Sequence, residues 1–406
     1  MSAPLDPDLP VGKRIQYFRQ QEGLSRPVLG GLVGKSAEWV KGIETGRLLP
    51  PRLPMLIRIA EVLRVDDLAE LTGEQKLSAA SFTKERHDSL DKVADALATF
   101  PLSAESSEPM SADTLASQVW QAWELWHGSR RQRTAIGVLL PGLLRTAPAT
   151  VRRMEGAERR RGLRALAEIY HLAQLFLSFQ PVPELVHLTG DRAMTAAQDA
   201  DDPEAIAVTA WYLNHVFRDA GQRHEARVEL ATRAAGTLRP ETGPEHLVRW
   251  GLLHLAIALS HAKLGREGDA WHHWDKASKA ARTLGDGYAH PYLIFGPGMV
   301  DAYAITINAD LMKGGEAVRQ ADRIDLATMP SATRRSFHMI ETARGYHLRG
   351  EHLATLRMLT KAHEESPDTV RFNLFARPVV ADLAAKGGST VRADAAELAM
   401  KIQVPV

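Results

Sequence analysis

The side chains of this chain that could do chemistry gather near its start, and they are cations rather than nucleophiles or metal ligands. Between Val11 and Arg52 lie eight Lys and Arg (Lys13, Arg14, Arg19, Arg26, Lys35, Lys41, Arg47, Arg52) against Glu22, Glu38 and Glu44. From Leu53 to Leu71 the sign reverses, with two Arg against four carboxylates. The whole 406-residue chain carries a formal charge of only +1. Affinity for a polyanion must therefore come from this local asymmetry. Within the basic stretch, Ala37, Glu38, Trp39 and Lys41 fall on the outward positions of a short amphipathic segment. A lysine there can donate to a guanine edge or to a phosphate, and a glutamate can accept from a cytosine amino group.

The elements that must hold these side chains are legible around them. In LSRPVLGGLVGKSAEWVKGIETGRLLP, Ser25 caps a first helix, and Pro27 is tolerated in its opening turn, where a missing N–H costs little. Leu29 and Val33 share one face, Gly30 allows close approach, and Gly34 sits where the chain must turn. Ser36 caps a second helix that buries Val40 and Ile43 and stops at Gly46. Two helices around a three- to four-residue turn, the second presented outward, describe a helix-turn-helix. Upstream, Val11, Ile15 and Phe18 give a roofing helix; downstream, Pro54 opens a helix striped by Leu56, Ile59, Ala60 and Leu63, and DDLAEL closes the unit.

Taken together, GKRIQYFRQQEGLS, the Gly30…Gly34 pair, Ser36, VKGIETG and RIAEVLRVDDLAEL resemble the phage-repressor (Cro-like, XRE) DNA-binding domain over Val11–Leu71. Aligned to that pattern, Ser36, Ala37, Glu38 and Lys41 face the major groove, and Arg26, Lys35 and Arg47 lie where phosphates would pass. Glu44, which lies beside the helix end, is expected to be structural.

After Gly73 the chain loosens, and SFTKERHDSLDKVADALATF then reads as a connecting helix with Leu90, Val93, Leu97 and Phe100 at a/d spacing. It either docks on a neighbouring domain or forms a short dimer seam, although it holds fewer than the ~3–4 heptads a coiled coil wants. PLSAESSEPMS reads as a flexible linker. The expected organisation is a tail over residues 1–10, a helix-turn-helix domain over 11–73, a connecting helix and linker over 74–111, and a helical repeat domain over 112–406. That last domain rests on LAIALSHAKLGREGDAWHHWDKASKAARTLGD, where Gly265, Ala270 and Ala277 keep the offsets of a tetratricopeptide (TPR) repeat. Similar joints recur at Gly221, Gly314–Gly315 and Gly350, the Gly314 repeat being short at its turn. A helix over Val391–Val404 would cap the last hydrophobic face. The expected fold class is thus all-α, a five-helix head followed by an α-solenoid.

Other constellations fall away. GGLVGKS imitates a phosphate-binding loop, but the required glycine is Leu29 and no strand precedes it. His254 and His261 lie seven apart and His272–His273 are adjacent, without HExxH or a two-His-one-carboxylate spacing, so no metal and no cofactor is expected. Trp120, Trp123 and Trp126 drift around one helix as core residues do, and the run Arg152–Arg164 alternates with Glu155 and Glu158 as a solvated face does. The chain has no cysteine, no signal-peptide pattern and no run of ~18 apolar residues, which suits a reducing cytoplasm. No catalytic constellation emerges.

The expected protein is a DNA-binding transcriptional regulator. One reading head buries only ~600–1,000 Å² on DNA, so a second copy is needed, and a homodimer through the TPR-like domain on a roughly palindromic operator supplies it. The architecture resembles bacterial XRE–TPR regulators, including the peptide-sensing RRNPP group, and this resemblance implies a short-peptide or small-molecule effector in the TPR groove. Counting back from the joint glycines, the groove would be lined by Trp211, His215 and Arg218, by Asp301 and Asn308, and by Phe337, Arg344 and His347. The loop Ala289–Met299 would act as its lid. Other readings stay open: the repeats as an oligomerisation or docking scaffold without a ligand, the helix-turn-helix as a protein-binding accessory module, or an unrecognised enzyme.

Overall fold

The computed structural model describes residues 6, 8–73, 84–100, 110–217 and 224–405, and among these every regular element is a helix. The head contains α1 (Val11–Gln21), α2 (Arg26–Val33), α3 (Ala37–Glu44), α4 (Leu53–Leu63) and α5 (Leu68–Thr72). Its boundaries follow local chemistry. The Ser25 Oγ accepts from Val28 N–H at 3.4 Å and the Ser36 Oγ from Trp39 N–H at 3.1 Å, so both helix-turn-helix members carry the expected caps. Gly34 ends α2 at φ 68°, a left-handed value that a glycine takes without strain. Val11, Ile15, Leu29, Val33, Val40, Ile43, Leu56, Ile59, Leu63 and Leu71 form one buried cluster separate from the rest of the molecule. Inside the head, Glu44 accepts from Arg19 Nε at 2.5 Å and from Arg26 Nε at 2.7 Å with its carboxylate fully buried. Arg14, also buried, donates to the Leu9, Glu70 and Asp6 carbonyls and ties α1 to α5 and to the tail.

The remaining helices run as α6 (Leu90–Ala98), α7 (Ala112–Gly128), α8 (Gln132–Arg153), α9 (Gly156–Leu177), α10 (Pro183–Asp199), α11 (Pro203–Phe217), α12 (His224–Gly236), α13 (Pro244–Lys263), α14 (Glu267–Thr283), α15 (Pro297–Asp310), α16 (Gly314–Ala321), α17 (Ala332–Leu348), α18 (His352–Glu365), α19 (Pro367–Arg371), α20 (Ala376–Lys386) and α21 (Ser389–Lys401). Successive helices pair as antiparallel hairpins, α13 with α14, α15 with α16 and α17 with α18. At the first joint Ala270 and Ala277 are fully buried, the close approach their size allows, and Gly265 takes φ 74°. Gly350 does the same at φ 75°, whereas at the short joint Met312 rather than a glycine is left-handed, at φ 63°. The joint expected at Gly221 lies outside the described residues. The buried Arg133 guanidinium donates to the Leu175 and Phe176 carbonyls at 2.7 and 2.8 Å, satisfying the end of α9.

Three expectations change. Only Leu90–Ala98 of the connecting segment is helical among its described residues, and Leu90, Val93 and Leu97 are buried within the chain beneath α8, which rules out a dimer seam there. Phe100 is exposed rather than in register with them. The Ala289–Met299 loop is not a lid: Tyr292, Leu293, Ile294 and Phe295 are all buried, and the Phe295 ring fills the space left by Gly251 on α13. Lastly, the repeats do not open into a free groove, because the C-terminal part of the solenoid returns to its start. His127 at the end of α7 donates from Nε2 to the Tyr292 carbonyl at 3.0 Å and accepts at Nδ1 from the Ser331 hydroxyl at 2.9 Å. Thr134 N–H donates to Asp368 at 3.0 Å, Gln132 to Thr369 at 2.8 Å, and Glu85 pairs with both Arg371 and Arg377.

By length and composition α8 is apolar enough to cross a bilayer. One face of it, with Ile136, Leu140, Leu144 and Ala147, packs in the core with α7 and α9, while Val138 and Leu139 are exposed.

Candidate nucleic-acid interface

The reading helix α3 presents its polar residues in two groups. Glu38 and Lys41 are about half exposed, 3.6 Å apart, and Arg47 reaches Glu38 at 3.7 Å from the loop beyond. These three form an exposed, rearrangeable set, since surface ion pairs hold one another only weakly. Lys35 lies over the Trp39 ring at 5.9 Å, in the turn that precedes α3. Ala37 is partly exposed between them.

Two of the residues assigned to DNA sit differently. Ser36 is 7 % exposed, its hydroxyl spent on the cap. Arg26 is bound to the buried carboxylate of Glu44, so its charge holds the head together before it meets any phosphate. The structural role expected for Glu44 is the arrangement seen.

The head rests on one edge of the solenoid through the surface that carries α3. A Cβ on Gly265, at the α13–α14 turn, would stand 2.7 Å from the Ser36 Cβ; one on Gly42 would stand 3.2 Å from the Met312 Cε of the α15–α16 turn. Buried His224 at the start of α12 faces the Gly34 carbonyl and the Lys35 charge. Beyond α3, Leu49 packs on the C-terminal cluster of α18, α20 and α21, and Arg52 donates to the Leu374 carbonyl. Arg47 points into a cavity of 720 Å³ between head and solenoid that Asn308, Met312 and Lys313 also line. Gly265 was visible in the sequence only as a repeat joint; no signal in the pattern marks a joint as a seat for another domain.

The residues expected to line a groove divide. Trp211, His215 and Phe337 do meet: His215 stacks on Trp211 with centroids 5.3 Å apart, and Phe337 stands 6.3 Å from His215 and 6.0 Å from Tyr303. Trp211 is fully buried, so this is interior packing rather than an open wall. Arg344 pairs with Glu341 and with buried Asp310, to which Lys263 is also bound at 2.9 Å. His347 packs on Phe375, and Asp301 pairs with Arg282 at 3.4 Å. Arg218 lies outside the described residues. Asn308 alone of the set opens on the cavity beneath the head.

At the centre of the solenoid lies a buried polar chain. The Thr209 hydroxyl donates to the Ala205 carbonyl, so His171 Nε2 donates to it at 2.9 Å and Nδ1 accepts from the Tyr292 phenol at 2.9 Å. Burial holds His171 neutral, with a pKa of about 3, and does the same to His127, where the Arg334 charge adds to the effect. Each imidazole thus uses one nitrogen as donor and one as acceptor, the state in which both bonds can be made.

Residues 11–71 match a family described as a helix-turn-helix domain, so the N-terminal domain is one. No curated protein matches the chain. Among solved structures, the crystal structure of ComR from S. thermophilus in complex with DNA and its signalling peptide ComS is similar over 87% of this chain and 99% of that chain, at 13% identity and a TM-score of 0.27.

Proposed function

We propose that this chain is a sequence-specific DNA-binding transcriptional regulator of the cytoplasm, seen here with its reading head closed on its own solenoid. The observation that carries the reading is the helix-turn-helix whose second member holds Glu38 and Lys41 outward, flanked by Lys35 and Arg47. Lys41 and Glu38 supply base-edge contacts, with Ala37 in contact beside them, and Lys35 and Arg47 supply phosphate contacts. A duplex must reach the N-terminal turn of α3, where Ser36 is seated on Gly265, and the last turn is held by Met312 against Gly42. The head therefore leaves that seat to bind DNA. An effector, peptide or small molecule, acts by binding the seated and released states unequally. A homodimer supplies the second head that one small footprint requires.

The test is selection of duplexes from a random pool by the full-length protein, followed by affinity against salt. Specific binding is expected with a slope that falls when Lys35, Lys41 and Arg47 are changed together to Ala, because each phosphate contact releases counterions. A triple variant that binds the selected duplex like the wild type removes this interface.

A further inference from the structure

The cavity between head and solenoid has the composition of an anion site. Its wall takes Arg47 from the head, Lys313 and Arg319 from the α15–α16 hairpin, and Arg349 from the end of α17. Glu267 and Glu316 are the carboxylates in the lining, and the other two cations pair just outside it, Arg47 with Glu38 and Arg349 with Glu351. Lys313 is paired with Glu267, and Arg319 with Glu316, both pairs largely exposed and so readily exchanged for a ligand of higher charge. The eight-residue helix α16 begins in the same wall at Gly314–Gly315, with no side chain capping its first turn. Its free N–H groups and dipole favour an anion there. A second observation is independent of charge. Asn308 lines the cavity at 7 % exposure; its amide nitrogen is used by the Ala304 carbonyl at 3.0 Å, and its oxygen accepts no hydrogen bond among the described residues. A partly buried ring, Trp271, forms another part of the wall.

We infer that this cavity binds a phosphorylated metabolite of mononucleotide size, its phosphoryl group at the α16 N-terminus and its ring against Trp271. The volume of 720 Å³ lies within the range of small-molecule sites, roughly 300–1,000 Å³. A phosphate monoester carries a charge of about −2 at neutral pH, more than any one carboxylate now paired with these cations, and its oxygens suit the arginine forks. A ligand hydroxyl or amino group supplies the donor that the Asn308 oxygen lacks. Since Arg47 belongs both to this wall and to the DNA-facing set, occupancy holds the head in its seat and opposes DNA. That last step rests on the regulator reading; the binding itself does not.

Calorimetric titration of the full-length, DNA-free protein with adenosine 5′-monophosphate and, separately, with pyrophosphate tests it. A Cβ at Gly315 meets nothing nearer than the Arg319 guanidinium at 4.0 Å, so Gly315→Asp should fold with an unchanged or raised Tm while placing its carboxylate in the anion position. Saturable binding of the monophosphate is expected, weakened at least tenfold by Gly315→Asp and within twofold of wild type in Gly315→Ala. Trp271→Ala should weaken the nucleotide and spare pyrophosphate. Absence of saturable binding at millimolar monophosphate, or a Gly315→Asp protein that binds like the wild type, overturns the site; equal losses of both probes in Trp271→Ala overturn the ring assignment. Monophosphate that binds without weakening a selected duplex overturns the coupling. A protein that binds the monophosphate but retains no duplex at all leaves the site standing and defeats the regulator reading instead.

Discussion

The head and the solenoid are held together by different means. The head closes a small apolar cluster around one buried carboxylate, Glu44, clamped by Arg19 and Arg26, and its α2, α3 and α5 begin on the local caps Ser25, Ser36 and Asp67. The solenoid carries a long core between Leu90 and Met329 and a separate C-terminal cluster, and fastens its two ends to each other through His127, Gln132 and Thr134. Between the two lie mainly turn-to-turn contacts: Ser36 on Gly265, Gly42 on Met312, Arg52 on the Leu374 carbonyl. The head thus has a buried core of its own beside a larger one, as the release proposed above requires.

The largest effect should come from within the head. Glu44→Ala leaves two guanidinium groups without their carboxylate, one of them buried, and should cost about 3–5 kcal/mol. Far-UV melting of the isolated 1–73 fragment should read this loss, with the solenoid transition of the full chain unmoved. A fragment whose Tm falls by less than a few degrees would show that the clamp is not what closes the head.

Acid should act on the other partner. His127 and His171 titrate at about 3 in the fold and near 6.5 once unfolded, so protons bind the unfolded chain preferentially. Stability is complete above about pH 6.5 and falls as pH drops toward 3, by about 1.4 kcal/mol per pH unit for each imidazole. Urea unfolding of residues 84–406 at pH 7 and pH 5 should differ accordingly, and His171→Gln should flatten the dependence. A pH-independent midpoint contradicts the neutral, two-bond assignment.

Smaller changes address the interface between the units. Lys41→Ala and Glu38→Ala should alter preference among base sequences by about 1–3 kcal/mol, while Arg47→Ala weakens all duplexes alike. Competition binding with single-base operator variants separates the two patterns. Smallest of all, Met312→Gly removes the thioether against Gly42 and relaxes a left-handed residue, so the repeat should stay folded and the head should leave its seat more often. Duplex affinity is expected to rise about threefold, roughly 0.6 kcal/mol. An unchanged affinity would mean that the seat does not compete with DNA.

The contrast also explains what the sequence could tell. Ser25, Gly34, Ser36 and Gly46 act on residues three or four places away, so the head was readable to within a residue or two at most of its helix ends. Gly265, Ala270 and Ala277 are equally local, and the hairpin they build was legible too. The return of Asp368 to Thr134 is not, because nothing in either segment names a partner more than two hundred positions distant. The run YLIF in residues 292–295 misled for the same reason: an irregular apolar stretch between repeats can cover a groove or fill it, and only packing decides. Arg26 shows the limit inside the head itself. Its place in the pattern suggests a phosphate contact, but the buried Glu44 beside it claims the charge.

The buried Tyr292–Phe295 segment has a consequence for how this chain acquires its fold. Helical repeat arrays usually propagate from neighbour to neighbour, because each unit touches only the next. Here Tyr292 joins His171 through its phenol and His127 through its carbonyl, contacts spanning 121 and 165 residues, and Phe295 closes on α13. The N-terminal helices therefore cannot reach their final packing until the chain has been made past residue 295. Such long loops must close before they are rewarded, and that slows folding. Assembly should be late and concerted rather than progressive, with fragments ending before Tyr292 remaining loosely packed, and the array should unfold in a single step instead of fraying repeat by repeat.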